Sequence, residues 1–393
     1  MKEYSLDLHV HLGASLRGAP VKITASPRLN IKGIINGGMQ RKGLDAVGIV
    51  DAASPRVLED LDLLIKWGQL KEQDGGGLVT PGGEVIFLGS EVEATEAEGV
   101  AHYLAFFPYL EQIRAFSNAL SVHITNINLS SQKANLSGEQ LSQLVSEHQG
   151  VFFPAHAFTP FKSVYGSCAS SLQQLLPDFE GRIEMLELGL SADTELASRF
   201  LELGGITFLS NSDAHSPEKI GREYNLIRMR ELNFKELLLA CRGMGQRRVV
   251  ANYGLDPRLG KYHRTFCHQC QRACSSHQPP VLFCPEDDKH SITLGVLDRI
   301  SQLTGEEEGE PGENPSYYYQ LPLEYIPGLG KKRIEKLIKA FGSELRVLRE
   351  AQLEELVEVV GRNIAEKILL ARQNRLQLEA GGGGHYGSVT KGQ

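Results

Sequence analysis

The chain has 393 residues, 41 Lys and Arg against 48 Asp and Glu, a formal net charge of −7 and 41% hydrophobic content. That apolar fraction excludes a wholly disordered chain, and the lack of any run of about 20 apolar residues excludes a membrane-spanning helix. The length predicts two or three domains. The N-terminus lacks a signal-peptide core, and three of the six cysteines fall within eight residues, as metal ligands do in a reducing compartment, so the cytoplasm is expected.

Residues 1–240 alternate short apolar runs with helical stretches, and most runs end in an ionisable residue. Leu6 to Val10 leads to His11, Ala46 to Val50 to Asp51, Val85 to Ser90 to Glu91, Leu120 to Val122 to His123, and Val151 to Ala155 to His156. Ile183 to Leu188 is a sixth run, and Ile206 to Leu209 leads to Asp213 and His215. Seven such runs predict a parallel α/β barrel, whose chemistry sits at the C-terminal strand ends.

Composition changes near 241. Residues 241–272 carry seven basic residues against Asp256 alone, and the cysteine cluster follows; 241–303 is expected to be a basic zinc-binding module. Residues 304–322 include Glu306 to Pro315, charged and rich in Gly and Pro, and are expected to be an acidic flexible linker. Residues 323–376 read as an all-α domain. The tail, 377–393, with glycines at 381–384, is expected to be flexible.

His9 and His11 share one side of a strand because side chains repeat every second residue, and Asp213 and His215 do the same. With Glu91, His123 and His156 they make seven candidate ligands. Mixed imidazole and carboxylate suits Zn²⁺ or Mn²⁺, and paired cations activate water and stabilise charge on a phosphoryl group.

The order of these motifs resembles the PHP (polymerase and histidinol phosphatase) superfamily of phosphoesterases, built on a distorted seven-stranded barrel. The resemblance implies two or three divalent metals (Zn, Mn or Mg) and places one between His9, His11, Glu91 and Asp213. A second would share Glu91 and add His123 and His156. His215 would belong to a third. Many members have a further His after the second-strand Asp; here Asp51 is followed by Ala52-Ala53-Ser54, so a third site rests on Asp51 with His215. Asp213, Glu91 and His215 are the catalytic candidates, Asp213 also able to orient the attacking water. Glu93 and His102 read as supporting residues.

Cys267-His268-Gln269-Cys270 is a C-x-x-C knuckle, the spacing a structural zinc takes from a tight turn. Cys284 begins a second half. Asp287 stands three residues on where a cysteine is expected, so Cys267, Cys270, Cys284 and Asp287 form the candidate set. Cys274, His277 and His290 are alternatives for the fourth ligand.

Ile326-Pro327-Gly328-Leu329-Gly330 joins two helical patterns and resembles a helix-hairpin-helix DNA clamp; Val360-Gly361-Arg362 resembles its second copy. Gly328 and Gly330 permit a tight turn whose free N–H groups can meet a phosphate, and Lys331 and Lys332 add charge. Arg222, just past Asp213-Ala214-His215, is a further candidate for meeting a phosphate. Core packing is the expected role of Tyr165 and Phe161, with a pocket or wedge role the alternative.

The whole-chain order resembles the endonuclease Q family over roughly residues 1–300, with Lys261-Tyr262-His263-Arg264 and Ser210 to Glu223 adding to the match. That resemblance implies incision of double-stranded DNA 5′ to deaminated bases (uracil, hypoxanthine, xanthine) and at abasic sites. A damaged base would be extruded from the duplex for recognition. The rival readings are a small-molecule phosphatase, a 3′–5′ exonuclease, and a non-enzymatic damage-binding module with a degenerate metal centre.

Overall fold

Short apolar runs rich in β-branched and aromatic residues form strands wherever both faces can be covered. In the computed structural model, which describes residues 1–305 and 314–390, these are Lys2–Val10 (β1), Ala46–Ile49 (β2), the small hairpin Lys71–Glu72 (β3) and Leu78–Val79 (β4), Val85–Glu96 (β5), Gly99–Phe107 (β6), Val151–Pro154 (β7), Met185–Glu187 (β8) and Thr207–Leu209 (β9). β2 pairs parallel with β1 and β5, β5 antiparallel with β6, β6 antiparallel with β7, and β8 parallel with β9. Two backbone seams close the ring. The Ala157 N–H donates to the Glu187 carbonyl (2.8 Å), and the Ala214 N–H donates to the His9 carbonyl (3.1 Å). The strands β1, β2 and β5 to β9 thus make a distorted seven-stranded barrel.

Amphipathic helices cover it. Pro55–Lys66 (α1) starts with Pro at its first turn and buries Val57, Leu58, Leu61 and Leu64, one face at helical spacing. Leu110–Leu120 (α2) buries Ile113, Phe116 and Leu120. Gly138–Glu147 (α3) opens with a capping box between Ser137 and Gln140. Phe234–Cys241 (α4) packs beside Tyr224–Met229 (β10), which pairs antiparallel with β1.

One expected strand is absent and a different segment takes its place. Leu120 to Val122 is the end of α2 and a turn, because Leu120 belongs to the buried helical face with Ile113 and Phe116. The strand next to β5 is instead β6, whose residues from Ala101 to Phe107 are all buried.

The boundary at 240 also moves. Arg248–Gly254 (β11) pairs with β10, extending the barrel sheet into the stretch expected to be zinc module. The module itself is Phe266–Cys267 (β12), Arg272–Ala273 (β13) and Ile292–Thr293 (β14) in one small sheet, followed by Val296–Thr304 (α5). Buried Asp298 ties them together, accepting from Arg264 Nε (3.0 Å), Thr265 N–H (2.8 Å) and Val281 N–H (2.9 Å). Within the expected linker, residues 306–313 lie outside the described residues, but Ser316–Tyr319 (β15) pairs parallel with β11. That stretch is therefore sheet, carrying three consecutive tyrosines.

The C-terminal domain is helical: Lys331–Phe341 (α6), Glu344–Arg349 (α7), Leu353–Val360 (α8) and Arg362–Arg372 (α9), around Leu323, Leu337, Val347, Leu356 and Ile368. Of the tail expected to be flexible, residues 391–393 lie outside the described residues, and 377–390 are packed. Leu378–Glu379 (β16) pairs with Ser388–Val389 (β17), and Gly381 and Gly387 N–H groups donate to Arg258 and Leu259 carbonyls (2.8 and 2.9 Å). A Cβ on Gly383 would stand 2.7 Å from the Phe266 ring. These glycines allow close backbone approach rather than mobility. Among the described residues no helix is long and apolar enough to cross a membrane.

Candidate functional site

Strand alternation puts His9 and His11 side by side at the end of β1. Their Nε2 atoms lie 3.3 Å apart, and they are 3.5 and 3.4 Å respectively from Asp213 Oδ1. Glu91, on β5, completes the group with Oε1 3.5 Å from His9 and Oε2 3.5 Å from His11. Ligand atoms about 2.1 Å from one ion at tetrahedral angles stand about 3.4 Å from each other, so the three edges among His9 Nε2, His11 Nε2 and Asp213 Oδ1 fit a divalent cation, with the Glu91 carboxylate beside them. Asp213 Oδ1 is buried with no hydrogen-bond donor among the described residues, an atom that a cation would satisfy. Asp213 also has φ +45° and His156 +32°, left-handed backbone of the kind that collects at working sites.

A second group consists of Glu91, His102 and His156, with ligand atoms within 4.8 Å of one another. Glu91 Oε1 is 2.8 Å from His102 Nδ1 and 3.5 Å from His156 Nε2. Glu91 thus faces both groups and can bridge two ions. The expected ligand His123 is not brought there: it sits in the turn after α2, its N–H donating to the Leu120 carbonyl. His102 takes its place because β6, not the 120–122 run, is the neighbour of β5.

The histidines are held from behind. Glu187 Oε2 accepts from His9 Nδ1 at 2.9 Å, both side chains wholly buried, and Asp51 Oδ1 does the same for His11 Nδ1 at 3.0 Å. Each bond directs the free Nε2 toward the cluster. Asp51, expected as a ligand, therefore orients one; its oxygens also accept from the Leu12 N–H and the Ser130 hydroxyl. His102 Nε2 is similarly held by Glu93 Oε2 at 3.1 Å. His215 is present, its Nδ1 3.1 Å from the Asp213 carbonyl oxygen and its ring 4.5 Å from that of His11.

Charge shapes the carboxylates. Burial alone would raise the Glu91 carboxyl, but His102, Lys22 and His11 outweigh it and hold it well below the usual range. Asp213 is likewise held well down against burial, by His9 and then His11. The hydrogen bond from His102 draws Glu93 down to about 2, with burial opposing and Lys162 adding. Burial opposes the charge on Lys22, yet Glu91 and Asp51 raise it on balance.

A cavity of about 340 Å³ opens over the cluster, lined by Thr159, Phe161, Leu190, Lys261, Tyr262 and Tyr386 besides the ligands. Phe161 and Tyr262 meet edge to face with centroids 5.5 Å apart. Tyr165 is core instead, packed against Phe158 and Phe200. Arg222 is not free to meet a phosphate: it is buried, donating to the Ser212 carbonyl (2.8 Å) and to the Tyr386 hydroxyl (2.9 Å).

In the cysteine module Cys267, Cys270, Cys284 and His290 converge. Cys270 Sγ is 3.7 Å from Cys284 Sγ and 3.5 Å from His290 Nδ1, and Cys267 Sγ is 3.6 Å from that nitrogen. Those edges suit a tetrahedral zinc with Zn–S near 2.3 Å. Asp287 is displaced from the set: its carboxylate is 3.9 Å from His290 Nε2, not from the Nδ1 that meets the sulfurs. In the helical domain Gly328 (φ +89°), Gly330, Lys331 and Lys332 are all exposed, and Gly330 precedes α6 without a side-chain cap. The Arg333 and Ile334 N–H groups donate to the Gly330 carbonyl (2.9 and 3.1 Å), which leaves those of Lys331 and Lys332 to meet a phosphate.

From the sequence His102 is expected only as a supporting residue, and neither Glu187 nor Lys22 stands out. The run Gly99–Phe107 was a strand signal for the first, and an acid inside the apolar run Met185 to Leu188 a signal for the second. Lys22 carried none.

A family model described as PHP-associated matches residues 193–243. The chain is 42% identical to the uncharacterized protein YqxK of Bacillus subtilis, over 99% of this chain and 100% of that one. It is 33% identical to the lesion-specific endonuclease PfuEndoQ from Pyrococcus furiosus, with a TM-score of 0.83 covering 99% of this chain and 95% of the other. It is 32% identical to endonuclease Q in a complex with a 27-mer duplex substrate bearing an abasic lesion at the active site, with a TM-score of 0.84 over 100% and 97% of the two chains. Matches of this length, together with a cluster of imidazoles and carboxylates spaced for cations, show that the chain belongs to the endonuclease Q family and is a metal-dependent DNA endonuclease.

Proposed function

We propose that the chain is a repair enzyme that cuts double-stranded DNA 5′ to deaminated bases, namely uracil, hypoxanthine and xanthine, and at abasic sites. The observation that carries this reading is the cavity over the ligand cluster: its volume is that of a small-molecule pocket, and its mouth combines aromatic faces with Lys261. The related endonuclease Q complex, with an abasic lesion at its active site, supports it.

A damaged base pairs weakly and leaves the stack at a cost of roughly a few kcal/mol. Phe161, Tyr262 and Tyr386 offer ring faces and edges to the extruded nucleotide, while Lys261, 4.7 Å over the Tyr386 ring, offers charge to its phosphate. The exposed turn at Gly328 and Gly330, with Lys331 and Lys332, holds the backbone further along the duplex. His9, His11, Glu91 and Asp213, with His102 and His156, would hold divalent cations, and Zn²⁺, Mn²⁺ or Mg²⁺ there would supply water activation and charge neutralisation at the phosphorus. Glu187 and Asp51 keep the His9 and His11 rings aimed. Asp213, at the rim, would orient the attacking water. A zinc held by Cys267, Cys270, Cys284 and His290 would keep β12 to β14 rigid.

The test is a 5′-labelled duplex with a single uracil, hypoxanthine or abasic site, incubated with Mn²⁺, Mg²⁺ or Zn²⁺ beside an undamaged duplex and an Asp213→Ala variant. One product ending 5′ to the lesion, absent in the variant, is expected. A ladder from the end would establish an exonuclease instead. An intact duplex alongside hydrolysis of p-nitrophenyl phosphate would overturn the repair reading.

A further inference from the structure

We infer that the Lys22 ammonium stands where a third cation would sit, so that the barrel holds two divalent ions and Lys22 supplies the remaining positive charge. The inference rests on the barrel cluster being a metal site but not on the nature of the DNA substrate.

A third ion needs ligands beyond those of the first two groups. Asp51 is followed by Ala52-Ala53-Ser54, none of which can ligate through an imidazole. The Asp51 carboxylate is already committed, to His11 Nδ1 at 3.0 Å, to the Leu12 N–H and to the Ser130 hydroxyl. That leaves His215, one imidazole, which does not hold a divalent ion by itself. Into this corner the chain delivers a lysine. The segment after β1 folds back on the strand end, with Val21 N–H donating to the Gly13 carbonyl (3.0 Å) and Lys22 N–H to the Leu12 carbonyl (2.9 Å). Lys22 Nζ then reaches Glu91 Oε2 at 2.9 Å and Ser131 Oγ at 2.5 Å. Its side chain is 12% exposed, and it lines the cavity together with His11, Glu91, Asp213 and His215.

A buried ammonium is tolerated only where it is paired and hydrogen-bonded. Here the pairing partner is the carboxylate that bridges the two metal groups. Lys22 meets the Glu91 oxygen nearer His11, opposite the oxygen that faces His102 and His156. It therefore steadies the bridging carboxylate and places one fixed positive charge beside the phosphate's path. A fixed ammonium does this without exchange with solvent metal, which makes Lys22 a positioning residue for the cleavage reaction.

The test counts ions by elemental analysis of the full chain saturated with Zn²⁺ and desalted, with Co²⁺ substitution marking the cysteine site through its thiolate absorption. Roughly three ions per wild-type chain are expected, two in the barrel and one in the four-ligand cysteine module. Lys22→Glu should bind one more, a carboxylate now facing His215. Lys22→Met should keep the wild-type count yet cleave at least about tenfold more slowly, the loss expected of an outer partner of a ligand, and Lys22→Arg should recover part of that loss. Three barrel ions in the wild type, or full activity in Lys22→Met at an unchanged count, overturns the inference. Should Lys22→Glu fail to fold, the wild-type count and the Met and Arg variants still decide. A wild type that holds two barrel ions but cuts no lesion refutes the proposed function and leaves this inference standing.

Discussion

Glu187 is the sharpest test of how the site is built, because its carboxylate lies behind the ligands and is visible only once the barrel is closed. It holds His9 Nδ1 at 2.9 Å with both side chains at 0% exposure, and it also accepts from the His156 N–H at 3.3 Å. A hydrogen bond to a charged group contributes about 1.5–3 kcal/mol and a neutral one about 0.5–1.5 kcal/mol. Glu187→Gln keeps an acceptor but removes the charge, a difference of about 1–1.5 kcal/mol, or roughly tenfold in metal affinity at about 1.4 kcal/mol per factor of ten. Glu187→Ala removes the bond and frees the ring to turn, and should cost about ten- to a hundredfold, the usual range for such outer partners. The assay is competition against a chelating zinc indicator, followed by DNA nicking over a metal titration. The Gln variant should regain most of its activity at saturating metal. Equal metal affinity in wild type, Gln and Ala variants would refute the claim that Glu187 aims His9.

Several other outcomes are expected. His102→Ala should lower cleavage by at least about a hundredfold and reduce the barrel's metal content, whereas His123→Ala, in a turn away from the cluster, should leave both within about twofold; the reverse pattern would restore the ligand set expected from sequence. His290→Ala should release the zinc of the cysteine module while Asp287→Asn retains it, read by metal analysis. Asp298→Ala strips the partner from a buried Arg264 and should destabilise the chain by about 3–5 kcal/mol in denaturant unfolding; a loss under about 1 kcal/mol would show that the pair does not anchor the module. Lys331→Ala combined with Lys332→Ala should weaken binding to damaged and undamaged duplex alike and lower the salt-dependence slope by about one for each phosphate no longer neutralised. An unchanged slope would mean that the hairpin does not meet DNA.

Much of the architecture could be read from the amino acids alone. Strand alternation made His9 and His11 neighbours, the D-x-H pattern marked Asp213 as a fellow ligand, and the C-x-x-C spacing announced the cysteine module. These are local patterns: period two in a strand and a tight turn are properties of consecutive residues. What sequence could not decide was which segment lies beside which. His102 and His123 are both histidines near apolar runs, and only the pairing of β5 with β6 brings the former against Glu91. Asp51 and Glu187 look like any strand-end acids, and their roles follow from which imidazole nitrogen they meet across the barrel. His290 over Asp287, Lys22 in the cluster and Tyr386 at the cavity wall depend on segments far apart in the chain folding to one point. The chemistry available to this protein is set by residue types that its sequence carries in local motifs; the choice among equivalent candidates is made by long-range packing, which burial of the barrel and the closed strand order impose only in three dimensions.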